Sequence, residues 1–117
     1  MNLQDIITKL DLEVLTEKLD FDSITPTCGY ASDLLSCVMA GAPHKSLWVT
    51  LQAHSNIIAV ATLLELSAIL ITEGARPDAD TIKKADEEGI VLLSTVKPTF
   101  FIAGNLWDMG LRCQPVD

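Results

Sequence analysis

The sequence predicts an α/β fold, a compact layered domain in which helices flank a mainly parallel sheet. Strand-like apolar runs begin at residues 47, 68 and 90, a spacing of 21 and 22 residues, and a segment with helical apolar spacing follows each run. Such alternation is typical of βαβ units with right-handed crossovers. A chain of 117 residues is close to the commonest domain size, so we expect one domain over residues 1–117.

Apolar periodicity and capping residues delimit the predicted elements. They are, in order, a helix over 2–10, a short strand near 12–15, a turn over 20–27, a helix over 32–40, a strand over 47–51, a helix over 55–65, a strand over 68–71, a helix over 78–88, a strand over 90–93 and a helix over 98–109. Asn2 and Ser32 are candidate N-caps, and Pro98 suits a first helical turn. A continued first helix is an alternative to the strand near 12–15.

The acidic balance limits the classes of partner. A formal net charge of −8 argues against sequence-independent binding of nucleic acid and against an anionic membrane surface, since both need Lys and Arg. The most apolar stretch, residues 57–71, is too short and too often interrupted to span a bilayer. Residues 1–22 carry six acids and two lysines, and residues 78–88 carry five acids and two lysines. The acid excess therefore leaves the middle of the chain close to neutral.

Cysteine usage and the N-terminal sequence bear on the compartment. Cys28, Cys37 and Cys113 are odd in number and form no CxxC pair, which argues against a disulfide framework or a zinc site. We expect each of them to be a small buried hydrophobic residue. The N-terminal residues show no secretory signal pattern, so a cytoplasmic location is expected.

Polar loops follow the predicted strands at 52–56, 72–77 and 94–97. In open parallel sheets, ligands bind outside the carboxyl ends of the strands, and the following helix N-termini can hold an anion. The candidate ligand-binding residues are Gln52, His54, Asn56, Thr72, Gly74, Arg76, Ser94 and Thr95. Arg76 could add a bidentate contact to a phosphate or carboxylate, and Lys97 a point charge. A small anionic metabolite or nucleotide is the predicted ligand.

A purely structural role is the alternative for these loops. Ser55, Asp78 and Thr95 could simply cap the helices that follow them, and Glu73 could form a surface pair with Arg76. Under this alternative the loops bind no ligand.

Motifs that carry catalysis are missing. The sequence contains no P-loop, no Gly-rich dinucleotide fingerprint, no nucleophile elbow and no zinc-protease motif. We therefore predict no catalytic residue, no cofactor and no metal site. An enzyme that uses His54 or Cys37 is the weaker alternative.

Five stretches carry a family resemblance. They are Gly29–Ser36, Leu47–Ala61, Ala68–Gly74, Ala85–Ile90 and Phe101–Gly104. In order and spacing they resemble the DRTGG domain, from about Leu3 to Leu111. That domain occurs alone, in some phosphotransacetylases and between the CBS motifs of some inorganic pyrophosphatases, and it is similar in fold to the N-terminal domain of HPr kinase/phosphorylase. The Asp-Arg-Thr-Gly-Gly string itself is absent, and Thr72-Glu73-Gly74 stands where the family often has Thr-Gly-Gly.

The resemblance implies a regulatory or accessory module that self-associates, with a homodimer as the expected state. Together with the loops, it predicts a non-catalytic domain that binds a small anion at the carboxyl ends of its strands. The alternative is a protein-interaction or dimerisation module that serves a partner enzyme. That alternative draws on an apolar content of 49% and on the aromatic residues near the C-terminus, among them Phe100, Phe101 and Trp107.

Overall fold

Strands and helices alternate along the chain, as the apolar pattern predicts. The computed structural model describes residues 1–17 and 20–113, and these ranges contain five α-helices, one short 3₁₀ helix and five strands. In order, the elements are α1 (Leu3–Leu10), β1 (Glu13–Val14), the 3₁₀ helix (Phe21–Ser23), β2 (Cys28–Ala31), α2 (Leu35–Gly41), β3 (Ser46–Thr50), α3 (Asn56–Leu64), β4 (Ala68–Ile71), α4 (Ala79–Glu88), β5 (Leu92–Ser94) and α5 (Thr99–Asp108).

The five strands form one sheet in the order β1-β5-β4-β3-β2. Strands β2 to β5 are parallel, and β1 pairs antiparallel with β5. The parallel strands end in register, with Thr50 opposite Ile71 and Ile71 opposite Ser94. The antiparallel β1 places Glu13 opposite Ser94. We call this side of the sheet, with the loops that follow β2 to β5, the carboxyl edge. The predicted α/β class is confirmed.

Each face of the sheet is covered by its own apolar cluster. Leu47, Val49 and Leu70 pack with residues of α1 and α5 on one face, whereas Trp48 and Ile69 pack with residues of α2, α3 and α4 on the other. Successive strand residues point to opposite faces, so a strand buried on both faces needs an apolar side chain at every position. This explains the continuous apolar runs in β3 and β4. The loops of the carboxyl edge therefore follow strands that are packed on both faces.

Two predicted helix caps are confirmed. The Asn2 side chain accepts a hydrogen bond from Asp5 N at 2.9 Å, and the Asp5 carboxylate accepts from Asn2 N at 3.2 Å, which completes a capping box on α1. The Asp78 carboxylate accepts from Thr81 N at 2.8 Å at the start of α4. Both caps supply acceptors to helix N–H groups that have no partner inside the helix.

The region between residues 28 and 35 differs from the prediction. Strand β2 was not predicted, because only Cys28 of its four residues is buried at the edge of the sheet and the strand carries no apolar alternation. The helix predicted over 32–40 begins at Leu35, so Ser32 is not its N-cap. The Ser32 hydroxyl instead accepts a hydrogen bond from Leu34 N at 3.2 Å within the loop that leaves β2.

All three cysteines depart from the prediction: Cys37 and Cys113 are exposed, and Cys28 and Cys113 are bonded to each other. Cys28 is buried as expected, but it forms a disulfide with Cys113, and their Cα atoms are 4.7 Å apart. Cys37 is free and exposed. An odd number of cysteines leaves one unpaired without preventing the other two from pairing, and a separation of 85 residues gives no local signal. The disulfide ties β2 to the segment after α5.

Candidate ligand-binding site

The loop after β2 contributes an acceptor that the sequence analysis missed. Asp33 Oδ1 accepts hydrogen bonds from Thr50 Oγ1 and from Leu51 N, both at 2.8 Å. Gln52 Nε2 donates to the Asp33 carbonyl oxygen at 3.2 Å. Gln52, a predicted ligand residue, therefore ties together the loops after β2 and β3. The sequence analysis placed Asp33 inside the helix predicted over 32–40, because it did not predict β2 and the loop that follows this strand.

His54 and Asn56 lie where α3 begins. His54 Nδ1 accepts a hydrogen bond from Asn56 N at 3.1 Å, so His54 takes the capping role that was expected of Ser55, whose side chain makes no capping bond. A neutral imidazole that accepts at Nδ1 carries its proton on Nε2. The exposed His54 ring thus offers a hydrogen-bond donor at the carboxyl edge.

The Asp78 carboxylate caps the start of α4. The pKa of the Asp78 carboxyl is held below its ordinary value of 3.8, chiefly because Thr81 N donates a hydrogen bond to the carboxylate. The expectation that Asp78 caps a helix is therefore correct, and the carboxylate stays ionised in that role.

Thr72 is a structural residue. Its side chain is fully buried, and its hydroxyl shares a 2.5 Å hydrogen bond with the hydroxyl of Thr99. Thr72 Oγ1 also lies 3.4 Å from the Thr50 carbonyl oxygen. The sequence placed Thr72 among the ligand-binding candidates, but its side chain faces into the protein and is inaccessible to a ligand.

Glu73 occupies the position at which the resembled family often has glycine. Glu73 and Gly74 both adopt the left-handed region, with φ of 62° and 72°. This turn directs the Glu73 carboxylate to Thr99 N, the first amide of α5, at 2.7 Å. An acceptor from a neighbouring loop therefore fills the anion position at the start of α5. The predicted surface pair of Glu73 with Arg76 is wrong, and so is a capping role for Thr95, whose hydroxyl accepts from Lys97 N.

Arg76 pairs with Glu13 at the start of β1. The two side chains form a bidentate contact, with Nη1 3.1 Å from Oε2 and Nη2 3.5 Å from Oε1. Ser94 Oγ also donates to Glu13 Oε2, at 3.2 Å. The pKa of Glu13 is lowered, first by the hydrogen bond from Arg76 and then by that from Ser94. The ion pair is exposed, so it adds little to stability and can open at little cost.

A cleft of about 300 Å³ opens beside this ion pair. We call it the β5 cleft, and its lining residues are Asp11, Glu13, Gly74, Ala75, Arg76, Ser94, Thr95, Val96 and Lys97. Its charged groups are two acids and two bases. Lys97 Nζ lies 3.4 Å from the Leu10 carbonyl oxygen and 5.2 Å from the centre of the Phe101 ring. Arg76 and Lys97 are the two cationic side chains that an anion could contact there, and Asp11 and Glu13 balance their charge.

The predicted site residues separate into three groups. Gly74, Arg76, Ser94 and Thr95 line the β5 cleft. Gln52, His54 and Asn56 lie at the end of β3, two strands away in the sheet, and Thr72 is buried between the two groups. The sequence correctly identified the loops at this edge, but not the partners of their side chains.

A larger cavity of about 400 Å³ lies at the opposite edge of the sheet. Its lining includes Glu65 and Gly89, which end α3 and α4. Lys45 also lines this cavity and balances the Glu65 carboxylate, while the two helix C-termini add partial negative charge. The β5 cleft is the better candidate for the predicted ligand.

Residues 1–17 and 20–113 contain neither a metal-binding cluster nor a membrane-spanning helix. In these ranges, no three His, Cys, Asp or Glu side chains are grouped so that they could hold a metal ion. None of the helices there is both long and apolar enough to cross a lipid bilayer.

The fold is shared with a nucleotide-binding regulatory region. No family model matches the chain, and no curated protein is significantly similar to it in sequence. A solved structure of the CBS and DRTGG domains of the regulatory region of Clostridium perfringens pyrophosphatase, complexed with the activator diadenosine tetraphosphate, superposes with a TM-score of 0.71 at 16% identity. The match covers 87% of this chain and 44% of that one. This chain therefore shares the fold of a part of that regulatory region.

Proposed function

We propose that this chain is a non-catalytic regulatory or accessory domain of the DRTGG family. It self-associates, and it binds a small anionic metabolite or nucleotide at the carboxyl edge. The observation that carries the proposal is the β5 cleft, in which Arg76 and Lys97 lie together at the carboxyl ends of parallel strands. The fold supports it, since the pyrophosphatase regulatory region of the same fold is complexed with a nucleotide activator.

Glu13 is the internal competitor of the proposed ligand. Arg76 and Ser94 both donate to its carboxylate, so an anionic group entering the β5 cleft would exchange with Glu13 for the same two donors. The exchange preserves charge-assisted hydrogen bonds to Arg76, and the exposed ion pair that it replaces contributes little. Gly74 lets the loop pass close to the ligand without a side chain in the way.

The residues at the end of β3 extend the proposed site. Neighbouring strands lie about 4.8 Å apart, so the ends of β3 and β5 are separated by roughly 10 Å. A nucleotide with its phosphate in the β5 cleft could reach Gln52, His54 and Asn56 with its sugar or base. The Nε2 donor of His54 suits a hydroxyl or carbonyl acceptor.

Thermal stabilisation of the intact chain by diadenosine tetraphosphate, ATP and inorganic phosphate tests the ligand. A ligand present at 100 times its dissociation constant adds about 2.7 kcal/mol to the free energy of unfolding. We expect Arg76→Ala to abolish this gain and Glu13→Gln to increase it. His54→Ala should weaken the response to the nucleotides but not to inorganic phosphate.

Lys83→Ala is the matched control for Arg76→Ala, because Lys83 is an exposed cation in α4 outside the β5 cleft. No stabilisation by any of the three ligands would contradict the proposal. A stabilisation that survives Arg76→Ala would move the ligand out of the β5 cleft.

An interaction module without a ligand is the second candidate. The exposed Phe100, Phe101 and Trp107 favour it, because large apolar side chains at a surface are typical of protein contacts. A domain of this kind would serve a partner enzyme through its surface alone, and it would show no response to the three ligands.

A further inference from the structure

The segment that follows α5 lies against the edge strand β2. We call residues 110–113 the strap. Leu111 is buried and packs on Gly29, where an added Cβ atom would lie 3.4 Å from Leu111 Cδ2. Cys113 is bonded to Cys28, the first residue of β2. One apolar contact and one covalent bond thus fasten the strap to β2.

The contacts of the strap with α5 are noncovalent. Gly110 has a φ of 101°, and Leu111 N donates a hydrogen bond to the Leu106 carbonyl oxygen at 3.0 Å. Arg112 Nε donates to the Trp107 carbonyl oxygen at 3.0 Å, and its guanidinium lies 4.8 Å from the centre of the Trp107 ring. Arg112 is exposed, so these contacts open at little cost. The disulfide is therefore the strongest tie between the strap and the rest of the chain.

The two sulfur atoms of this disulfide differ in access. Cys28 is buried, whereas Cys113 is exposed. A disulfide with an exposed sulfur is reduced more readily than a buried one. Neither cysteine belongs to the apolar clusters on the two faces of the sheet, and Leu111 is the one strap residue that does. An oxidised and a reduced form can therefore share the same core.

The strap covers the start of an edge strand. Strand β2 is the last strand of the sheet, and its outer side is paired with no other strand in the described part of the chain. An open sheet edge presents free N–H and C=O groups that can pair with another extended chain, so proteins tend to cover it. An apolar groove of about 120 Å³ lies beside the strap between β2 and α5, and Leu111 forms part of its lining with Val49 and Leu106.

We propose that the bond between Cys28 and Cys113 is a redox switch, which holds the strap over the start of β2 when oxidised and releases it when reduced. On release, Leu111 leaves Gly29, the groove widens, and the start of the edge strand becomes accessible. Strand β2 is three strands away from β5 in the sheet, so the switch does not depend on the ligand proposed for the β5 cleft.

Access decides the direction of the exchange. A thiolate of a dithiol reductant attacks the exposed Cys113 Sγ, the bond between the two protein sulfurs breaks, and Cys28 Sγ leaves as a thiolate and takes up a proton. The second thiol of the reductant then attacks the mixed disulfide and releases Cys113. Two electrons pass from the dithiol to the protein. The dithiol becomes a disulfide, and its two protons end on the two cysteines.

Limited trypsin digestion of the full chain, with and without dithiothreitol, tests the switch. The bond after Arg112 lies in the strap, and a protease cuts only chain that has opened locally. Since the disulfide tethers Cys113 to β2, we expect reduction to accelerate cleavage after Arg112 by about tenfold or more. Cleavage after Lys83, an exposed residue of α4 outside the strap, should accelerate far less. Mass spectrometry separates the two products.

Two cysteine variants are the matched controls. Cys113→Ser removes the bond, so its cleavage after Arg112 should be fast with and without dithiothreitol. Cys37→Ser removes the free exposed thiol and leaves the bond intact, so it should respond to dithiothreitol as the wild type does. Transfer of the reduced wild type to oxidised glutathione should restore slow cleavage.

Several outcomes would overturn the switch. Cleavage after Arg112 at the same rate in both forms would show that the bond does not hold the strap. Equal acceleration after Arg112 and Lys83 would show that reduction unfolds the whole chain, which makes the bond purely structural. Alkylation of all three cysteines in oxidised glutathione would show that the bond does not form. A reduced chain that does not recover slow cleavage would show that the bond is not reversible.

Discussion

The carboxyl edge and the solvent side of α5, which carries Phe100, Gly104 and Trp107, differ in how many of their side chains have partners within the chain. At the carboxyl edge, the polar groups that suggest a ligand site are already engaged: Glu73 with the start of α5, and Arg76 with Glu13. On the solvent side of α5, Phe100 is 90% exposed, and Trp107 is 59% exposed with the Arg112 guanidinium over its ring. Arg76 and Glu73 suggest a site by their residue type although both have partners, whereas Phe100 suggests one because its side chain is left exposed.

Backbone chemistry explains the difference. Strands end and helices begin at the carboxyl edge, so unpaired amides there need acceptors, and Asp33, His54 and Glu73 supply them. The middle of α5 has no such demand, because its amides bond within the helix. Solvent-exposed apolar side chains there gain free energy only when another surface covers them.

Two alanine substitutions in α5, one on its buried side and one on its exposed side, should differ most in their effect on the free energy of unfolding. Ile102 is fully buried, so Ile102→Ala should reduce the free energy of unfolding by about 2–5 kcal/mol. Phe100 lies outside the core of its own chain, and Phe100→Ala should change that free energy by less than about 0.5 kcal/mol. Urea unfolding at a concentration at which the chain is monomeric measures both. A cost above about 2 kcal/mol for Phe100→Ala would mean that Phe100 packs within its own chain.

Substitutions of Glu73 should have intermediate effects. Glu73→Ala removes the acceptor at the start of α5 and should cost about 1 kcal/mol in the free energy of unfolding. Glu73→Gly removes the same acceptor but relieves a left-handed residue, which costs roughly 1 kcal/mol when it is not glycine. The two effects of Glu73→Gly nearly cancel, so its stability should stay close to that of the wild type.

The free energies of unfolding of Glu73→Ala and Glu73→Gly, both measured by urea unfolding, differ by the cost of the left-handed backbone at residue 73. Equal losses in the two variants would show that the left-handed conformation at residue 73 is not costly. No loss in either would show that the carboxylate does not stabilise α5.

The central part of the fold could be predicted because a strand that is buried on both faces needs a continuous run of mostly apolar residues, and such a run is visible in the sequence. The strands predicted over 47–51, 68–71 and 90–93 are present as Ser46–Thr50, Ala68–Ile71 and Leu92–Ser94. Strand β2 was missed because an edge strand is covered on fewer sides and needs fewer apolar residues. The buried and exposed sides of α5 could not be separated by periodicity, since apolar residues lie all around that helix.

The candidate site was predictable as a set of loops but not as a network of contacts. Glu13 and Arg76 are 63 residues apart, and they meet only because β1 pairs antiparallel with β5. The contact of Glu73 with Thr99 N similarly joins two loops of the sheet. Local patterns identify a polar residue after a strand, but the partner of that residue depends on which strands are neighbours.

The capping carboxylate of Asp78 gives the smallest effect, and it depends on pH. Its pKa is lowered in the folded state, first because Thr81 N donates a hydrogen bond to it. A group of this kind stabilises the fold at pH values above its ordinary pKa of 3.8, and the stabilisation is lost as the pH falls through the lower, folded-state pKa. Asparagine also caps helices but does not titrate over this range.

The stability advantage of the wild type over Asp78→Asn should therefore be largest near about pH 7 and should shrink as the pH falls below about 4. Urea unfolding midpoints across this range measure it. Asp80→Asn is the matched control, because it removes a carboxylate from the same first turn and leaves the hydrogen bond from Thr81 N intact. An advantage over Asp78→Asn that persists unchanged in acid would mean that the hydrogen bond alone, without the charge, stabilises the start of α4.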